Sequence, residues 1–168
     1  MQLVEQHIIS KGDSRFQAID DAAFASKNLY NTANYILRQE FIFNNRYIPY
    51  EKLAKEIKET PEYKALPAKV AQQVLRVLDK NWKSFFAAIK EWEDDPNKFN
   101  GRPKLPKYKD KQKGRNLLIY TIQTISKPQL KQGVIKPSGL DILIYTKQKE
   151  VNQVRIVPRK THTEHAIS

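Results

Sequence analysis

Apolar residues recur three and four positions apart along three stretches of the chain, and each stretch predicts an amphipathic helix. The first runs from Phe16 to Phe43, the second from Tyr50 to Glu59 and the third from Pro67 to Trp92. The dipeptide Thr60-Pro61 ends the second helix, because the residue before proline avoids the α region. The middle of the chain is therefore predicted to be helical.

Alternating β-branched and aromatic residues predict strands on both sides of these helices. The segment LVEQHIIS, residues 3–10, reads as a short strand that ends at the turn sequence SKGDS. Three later runs, LLIYTIQTI, LDILIYT and VNQVRIV, predict antiparallel strands separated by turn residues. A run of helices followed by a run of strands favours an α+β fold over an alternating α/β fold.

Both periodicities disappear between the helices and the later strands. This basic stretch, Lys98–Arg115, reads KFNGRPKLPKYKDKQKGR and is predicted to connect the two parts. We divide the chain into a β domain of residues 1–10 and 115–160, a helical insert of residues 11–97, a basic connector of residues 98–114 and a tail of residues 161–168.

The overall charge points to a polyanionic partner. Thirty Lys and Arg residues oppose eighteen Asp and Glu residues in a chain of 168, which gives a net charge of +12. Nucleic acid is the leading candidate and an anionic membrane surface the second. The sequence has no long apolar run and no signal-peptide pattern, so we expect a soluble, cytoplasmic protein with no membrane or small-molecule partner.

More than half of the net charge lies in the basic stretch. Its eight cations oppose a single acid, Asp110, and together they carry +7. Like charges this close repel one another, and a polyanion would neutralise them and release its own counterions. Pro103 and Pro106 favour an extended backbone. A disordered basic linker is the alternative.

The connector also contains two aromatic residues. Phe99 and Tyr108 either stack on bases or attach the connector to the core.

The third helix presents further cations away from its apolar stripe. Four of them lie at helical spacing on one face, which reads as a row without interleaved acids, although a solvated face is equally compatible. The candidate nucleic-acid-binding residues are Arg76, Lys80, Lys83, Lys90, Lys98, Arg102, Lys104, Lys107, Tyr108, Lys109, Lys111, Lys113 and Arg115.

Signals for catalysis or metal binding are weak. The chain has no cysteine, which excludes disulfides, thiolate catalysis and cysteine-rich zinc sites. His162 and His165 have the spacing of a metal pair, but Glu164 alone supports them as a nearby third ligand and the segment is terminal. The acids from Glu91 to Asp95 are too close in sequence to converge on two metal ions. We therefore predict no catalytic residue, no metal site and no cofactor in this chain.

Three segments together resemble the N-terminal half of the OrfB/TnpB proteins of insertion sequences. They are NLYNTANYILRQEF at residues 28–41, KFNGRPKLPKYKDK at residues 98–111 and VNQVRIVPR at residues 151–159. The resemblance implies an RNA-guided DNA nuclease of a transposon. It also implies a wedge-like antiparallel β-barrel or sheet, with a helical recognition segment inserted after the first strand, that binds guide RNA and target DNA. The family's basic residues carry over onto Arg102, Lys104, Lys107 and Lys109.

The chain departs from the family at its end. In the family the last strands lead into a RuvC-like nuclease domain with three metal-binding acids and a Cys₄ zinc finger, whereas this sequence ends at THTEHAIS, where the strand pattern dissolves. We therefore expect a truncated, nucleic-acid-binding fragment, with Mg²⁺ and zinc required only by the missing half. Three alternatives remain open: a metal-dependent nuclease that uses the acids present here, a helix-turn-helix module that reads duplex DNA, and a decayed remnant.

Overall fold

The computed structural model describes residues 4–159 and 164–168, and it confirms a mixed fold of helices and antiparallel strands. The helices are α1 Phe16–Asn44, α2 Tyr50–Ile57, α3 Pro61–Lys64, α4 Ala68–Asp94 and α5 Lys127–Lys131. The strands are β1 His7–Ser10, β2 Leu118–Thr121, β3 Val134–Ile135, β4 Ile144–Tyr145, β5 Gln153–Pro158 and β6 Glu164–Ile167. Two 3₁₀ turns, Pro96–Lys98 and Ile122–Thr124, follow α4 and β2.

The three predicted helices are confirmed, with small changes at their ends. Asn45 ends α1 in a left-handed conformation with φ of 52°, which asparagine tolerates better than most residues. Pro67 is the N-cap of α4 and not its first turn. The short helix α3 was not predicted; Thr60 caps it by accepting a hydrogen bond from the Tyr63 backbone N–H.

The main sheet has the strand order β1-β6-β5-β2, and every pair is antiparallel. Within the predicted tail of residues 161–168, Glu164–Ile167 form a strand that pairs with β1 on one side and β5 on the other, where the sequence showed no strand pattern. Four residues are too few to show an alternation, but this pairing satisfies their backbone and buries Ala166 and Ile167. The described strands form an open sheet, with β1 and β2 at its edges.

A second, two-stranded sheet contains β3 and β4. The run LDILIYT was predicted as one strand, but only Ile144 and Tyr145 pair with a neighbour. The short helix α5 and strand β3 precede it and were not predicted, because a segment of two to five residues is too short for a periodicity to show.

One hydrophobic core joins the helical and the sheet residues. It includes Leu37 from α1, Val74 from α4, and Leu118 and Ile156 from the sheet. At the end of α1, the ring of Phe41 packs against Trp82, Phe85 and Phe86, with centroids 5.5 to 6.1 Å apart. This core fixes α1 relative to α4. The predicted division into domains stays a prediction.

Candidate nucleic-acid interface

The basic connector runs along the surface of α1 without regular secondary structure over residues 102–110. Its backbone is held there by side chains of the helix. Asn34 and Arg38 both donate hydrogen bonds to the carbonyl oxygen of Pro106, at 2.9 and 2.8 Å. Asn31 binds Lys109 twice, because its amide donates to the Lys109 carbonyl at 2.9 Å and its oxygen accepts from the Lys109 N–H at 2.8 Å. The connector is therefore a fixed segment with a defined path.

Asn34 joins three parts of the fold at one buried point. Its side chain is fully buried, and its oxygen accepts a hydrogen bond of 2.9 Å from the indole N–H of Trp82 on α4. The indole nitrogen can only donate, so the asparagine oxygen must face it and the amide nitrogen must face Pro106. The orientation of this one amide thus fixes the connector against both long helices.

The second half of the connector is held by Lys27 and closed by a turn. Lys27 is buried, lies over the ring of Phe24 at 3.7 Å and donates a hydrogen bond to the Lys111 carbonyl. Burial, together with the nearby charge of Arg115, lowers the pKa of the Lys27 ammonium. The carboxylate of Asp110 accepts from the N–H groups of Gln112 and Lys113, so the single acid of the connector shapes its turn.

Arg115 anchors the end of the connector to α1. Its guanidinium forms two hydrogen bonds with the Asp20 carboxylate, at 3.0 and 3.1 Å, and the buried imidazole of His165 lies 3.0 Å from the same carboxylate. Burial favours the neutral form of Asp20, but hydrogen bonds with Arg115 and His165 outweigh it and lower the pKa of Asp20. Arg115 was predicted to contact phosphate; its donors are engaged here, so we assign it a structural role.

The remaining connector cations are exposed to solvent. Within the part of the chain that the structure describes, no ion pair joins any of them to a carboxylate. Arg102 lies over the ring of Trp92 at 5.5 Å and Lys109 over that of Tyr30 at 5.2 Å, contacts that leave their charge uncompensated. The exposed residues are Lys98, Arg102, Lys104, Lys107, Lys109, Lys111 and Lys113.

The basic face of α4 is also exposed, but it is not free of acids as the sequence suggested. Asp79 lies one turn before Lys83, and its carboxylate forms an ion pair with the Lys83 ammonium group at 2.9 Å. The guanidinium of Arg76 lies 4.2 Å from the ring centroid of Tyr50 on α2. Lys80 and Lys90 are exposed as predicted. The charge of this face is thus partly compensated, in contrast to the connector.

The aromatic residues of the strands and of the connector differ in their exposure to solvent. Tyr120 is buried in β2 and its hydroxyl donates to the Ser138 carbonyl, so it belongs to the core. Tyr145 is exposed on β4, and Phe99 is half-buried at the start of the connector. Tyr108 is 44% exposed, with the guanidinium of Arg38 at 5.0 Å from its ring centroid.

Neither a metal cluster nor a membrane span is found in residues 4–159 and 164–168. No group of three His, Asp or Glu residues there is arranged to hold a metal ion. His165 is buried in β6 beside Asp20, and His162 lies outside the described residues. No helix within the same ranges has the length and hydropathy needed to cross a bilayer.

The side chains that hold the connector were missed by the sequence reasoning. Lys27, Asn31, Asn34 and Arg38 follow one another at spacings of four, three and four, which places them on one face of α1. Four polar residues beside an apolar stripe at helical spacing are a signal for a docked backbone segment, but they also suit a solvated face. No protein-family model matches the chain, and no curated protein matches it.

Proposed function

We propose that this chain binds nucleic acid through the phosphate backbone, in the manner of the N-terminal half of a TnpB-like protein, with guide RNA and target DNA as its cytoplasmic partners. The single observation that carries the proposal is the connector: a row of exposed cations on a backbone that side chains of α1 hold by hydrogen bonds. Binding, and not catalysis, is the role we assign to it.

The spacing of the cations makes their mutual repulsion significant. Lys104, Lys107 and Lys109 lie two or three residues apart, which in extended backbone corresponds to about 7 to 10 Å. The Debye length at physiological ionic strength is about 8 Å, so salt screens neighbouring charges only in part. Because the described chain supplies these ammonium groups with no carboxylate, a bound polyanion is the partner that relieves the repulsion.

The resemblance narrows the class of polyanion. Two of the three segments that carry it are in contact, since Asn31, Asn34 and Arg38 of the first hold Pro106 and Lys109 of the second. Through this contact the first segment holds the second in place, and both contribute to presenting the connector at the surface. Guide RNA and target DNA are the ligands that the resemblance implies for such a surface.

A salt titration of binding tests the proposal. With about five to seven phosphate contacts, log Kobs should fall against log salt with a slope of roughly −4 to −6 on duplex DNA and less steeply on single strands. Replacing Lys104, Lys107 and Lys111 by alanine should make the duplex slope shallower by about 2 to 3.

A matched control distinguishes the connector from net charge. Lys52, Lys55 and Lys58 are exposed on or beside α2, and their triple replacement by alanine removes the same charge from another surface. This control should keep most of the wild-type slope. A wild-type slope near zero against both structured RNA and duplex would contradict the proposal, as would equal effects of the two triple variants.

The absence of nuclease activity is a separate part of the proposal. Asp94 is the last residue of α4, and the carboxylate of Asp95 accepts a hydrogen bond from the Asn97 N–H at 3.2 Å, so Asp95 has a local structural role. We expect no cleavage of labelled DNA in the presence of Mg²⁺ and RNA. Cleavage that is abolished by Asp94→Asn and Asp95→Asn would show that the chain is an enzyme.

A further inference from the structure

Tyr108 lies between two fixed points of the connector backbone. Two residues before it, the Pro106 carbonyl accepts hydrogen bonds from Asn34 and Arg38. Directly after it, Asn31 binds both the N–H and the carbonyl group of Lys109. A residue between two such anchors loses much of its backbone freedom before any ligand arrives. The backbone of Tyr108 is therefore positioned by α1.

The surroundings of the ring differ from those of a residue that attaches a loop to a core. Arg38 places its guanidinium 5.0 Å from the ring centroid, and hydrogen bonding to Pro106 fixes that guanidinium. The ring nevertheless remains 44% exposed. Backbone contacts already attach the connector, so the attachment does not require an aromatic residue at this position.

We propose that Tyr108 is a stacking platform for an unpaired nucleobase, with the flanking phosphates bound by Lys107 and Lys109. This inference rests on the proposed function and narrows it to single-stranded nucleic acid, or to an unpaired base in a folded one. A tyrosine face accepts any base, because every base presents a π face, and the Arg38 cation behind the ring supports that contact. Bases in a duplex are already stacked on each other, so a duplex offers no free face.

Two properties of this site follow from its geometry. Recognition is tolerant of sequence, because neither the ring nor the two ammonium groups read base edges. The cations supply the salt-dependent part of the affinity, whereas the ring supplies a part that does not depend on salt. The two contributions are therefore separable by experiment.

The test compares Tyr108→Ala, Tyr108→Leu and Tyr108→Phe on an unpaired oligonucleotide and on a duplex of the same length. Loss of the ring in the Ala and Leu variants should weaken single-strand binding about 5- to 100-fold, while the Phe variant stays within about 2-fold of wild type. Duplex affinity and the salt slope should not change, since no charge is removed. Tyr145→Ala, which removes another exposed tyrosine, is the matched control.

A fluorescent base analogue gives a second readout. An oligonucleotide that contains 2-aminopurine should lose fluorescence on binding wild type and the Phe variant, because stacking quenches it, and should lose much less with the Leu variant. The Leu variant keeps an apolar side chain at the position, so it answers the question even if the Ala variant folds poorly. Urea unfolding of each variant checks this directly.

The outcomes separate this inference from the proposed function. If wild type binds with a steep salt slope but Tyr108→Leu loses nothing on single strands, or loses equally on duplex, stacking is overturned and the phosphate-binding proposal stands. If wild type binds neither ligand, the proposed function itself fails. A selective loss on single strands with quenching that depends on the ring supports both.

Discussion

The most informative single substitution is Asn34→Ala, because it removes the buried amide at which α1, α4 and the connector meet. It deletes the hydrogen bond to the Pro106 carbonyl, which retains Arg38 as a donor, and it leaves the buried indole N–H of Trp82 without its acceptor. A lost hydrogen bond costs about 1 kcal/mol and a buried donor left unpaired about 1 to 3 kcal/mol. We therefore expect the free energy of unfolding to fall by about 2 to 4 kcal/mol.

Urea denaturation followed by tryptophan fluorescence measures this loss, and thermal unfolding should show a Tm lower by roughly 5 to 15 °C. The expected effect has a local component that is independent of global stability. With one anchor removed, the lysine-rich connector should open more often, so limited trypsin digestion should cut within residues 104–113 sooner than in wild type.

A double-mutant cycle with Trp82→Phe isolates the interaction itself. Phenylalanine removes the indole donor while keeping an aromatic ring among Phe41, Phe85 and Phe86. The double variant should be less destabilised than the sum of the two single variants by about 1 to 2 kcal/mol, because residues in contact are not additive. Asn34→Ala within about 0.5 kcal/mol of wild type, or strict additivity in the cycle, would refute this reasoning.

Three further predictions concern stability. Hydrogen bonds from Arg15 lower the pKa of Asp13 from 3.8 to about 2, so this carboxylate stabilises the fold above pH 3.8 and the contribution is lost as the pH falls through 2. Asp13→Asn should therefore cost about 1 to 2 kcal/mol at pH 7 and much less at pH 2 in urea denaturation. Gly114→Ala places a Cβ 2.3 Å from the Asp110 carbonyl oxygen and should cost about 1 to 3 kcal/mol; unchanged stability would show that the turn relaxes freely. Asp20→Asn leaves the Arg115 guanidinium without its ion pair and should destabilise the chain by about 2 to 4 kcal/mol in the same assay, whereas a neutral result would exclude a structural role for Arg115.

The long helices were predictable from sequence because their apolar stripes repeat over many turns. In α1 the buried residues Ile19, Ala23, Tyr30, Ala33 and Leu37 follow the helical period, and no other element of this length fits them. Strand β6 was not predictable in the same way. Its four residues gain their order from two neighbouring strands that are distant in sequence, so local pattern carries little information about them.

The candidate site was predicted in its composition but not in its construction. Clustered charge identified the connector, since unpaired lysines are visible in the sequence. Its attachment to α1 depends on Lys27 and Asn34, both of which are polar and almost fully buried. Such burial is possible only because a backbone segment from about seventy residues later supplies carbonyl acceptors, as the Asn34 contact with Pro106 illustrates. A pairing over that distance leaves no trace in either segment alone.

The helix holds the connector through peptide groups, and this has a consequence for how the surface can vary. The contacts are made by Asn31, Asn34 and Lys27 to backbone groups of Pro106, Lys109 and Lys111. Any residue type has a backbone carbonyl oxygen that accepts such a hydrogen bond. The path of the connector is therefore independent of most of its side chains. The side chains at positions 104, 107, 111 and 113 can therefore be exchanged without altering the path of the backbone. Charge at these positions can be added, removed or replaced by other recognition chemistry while the fold beneath is unchanged.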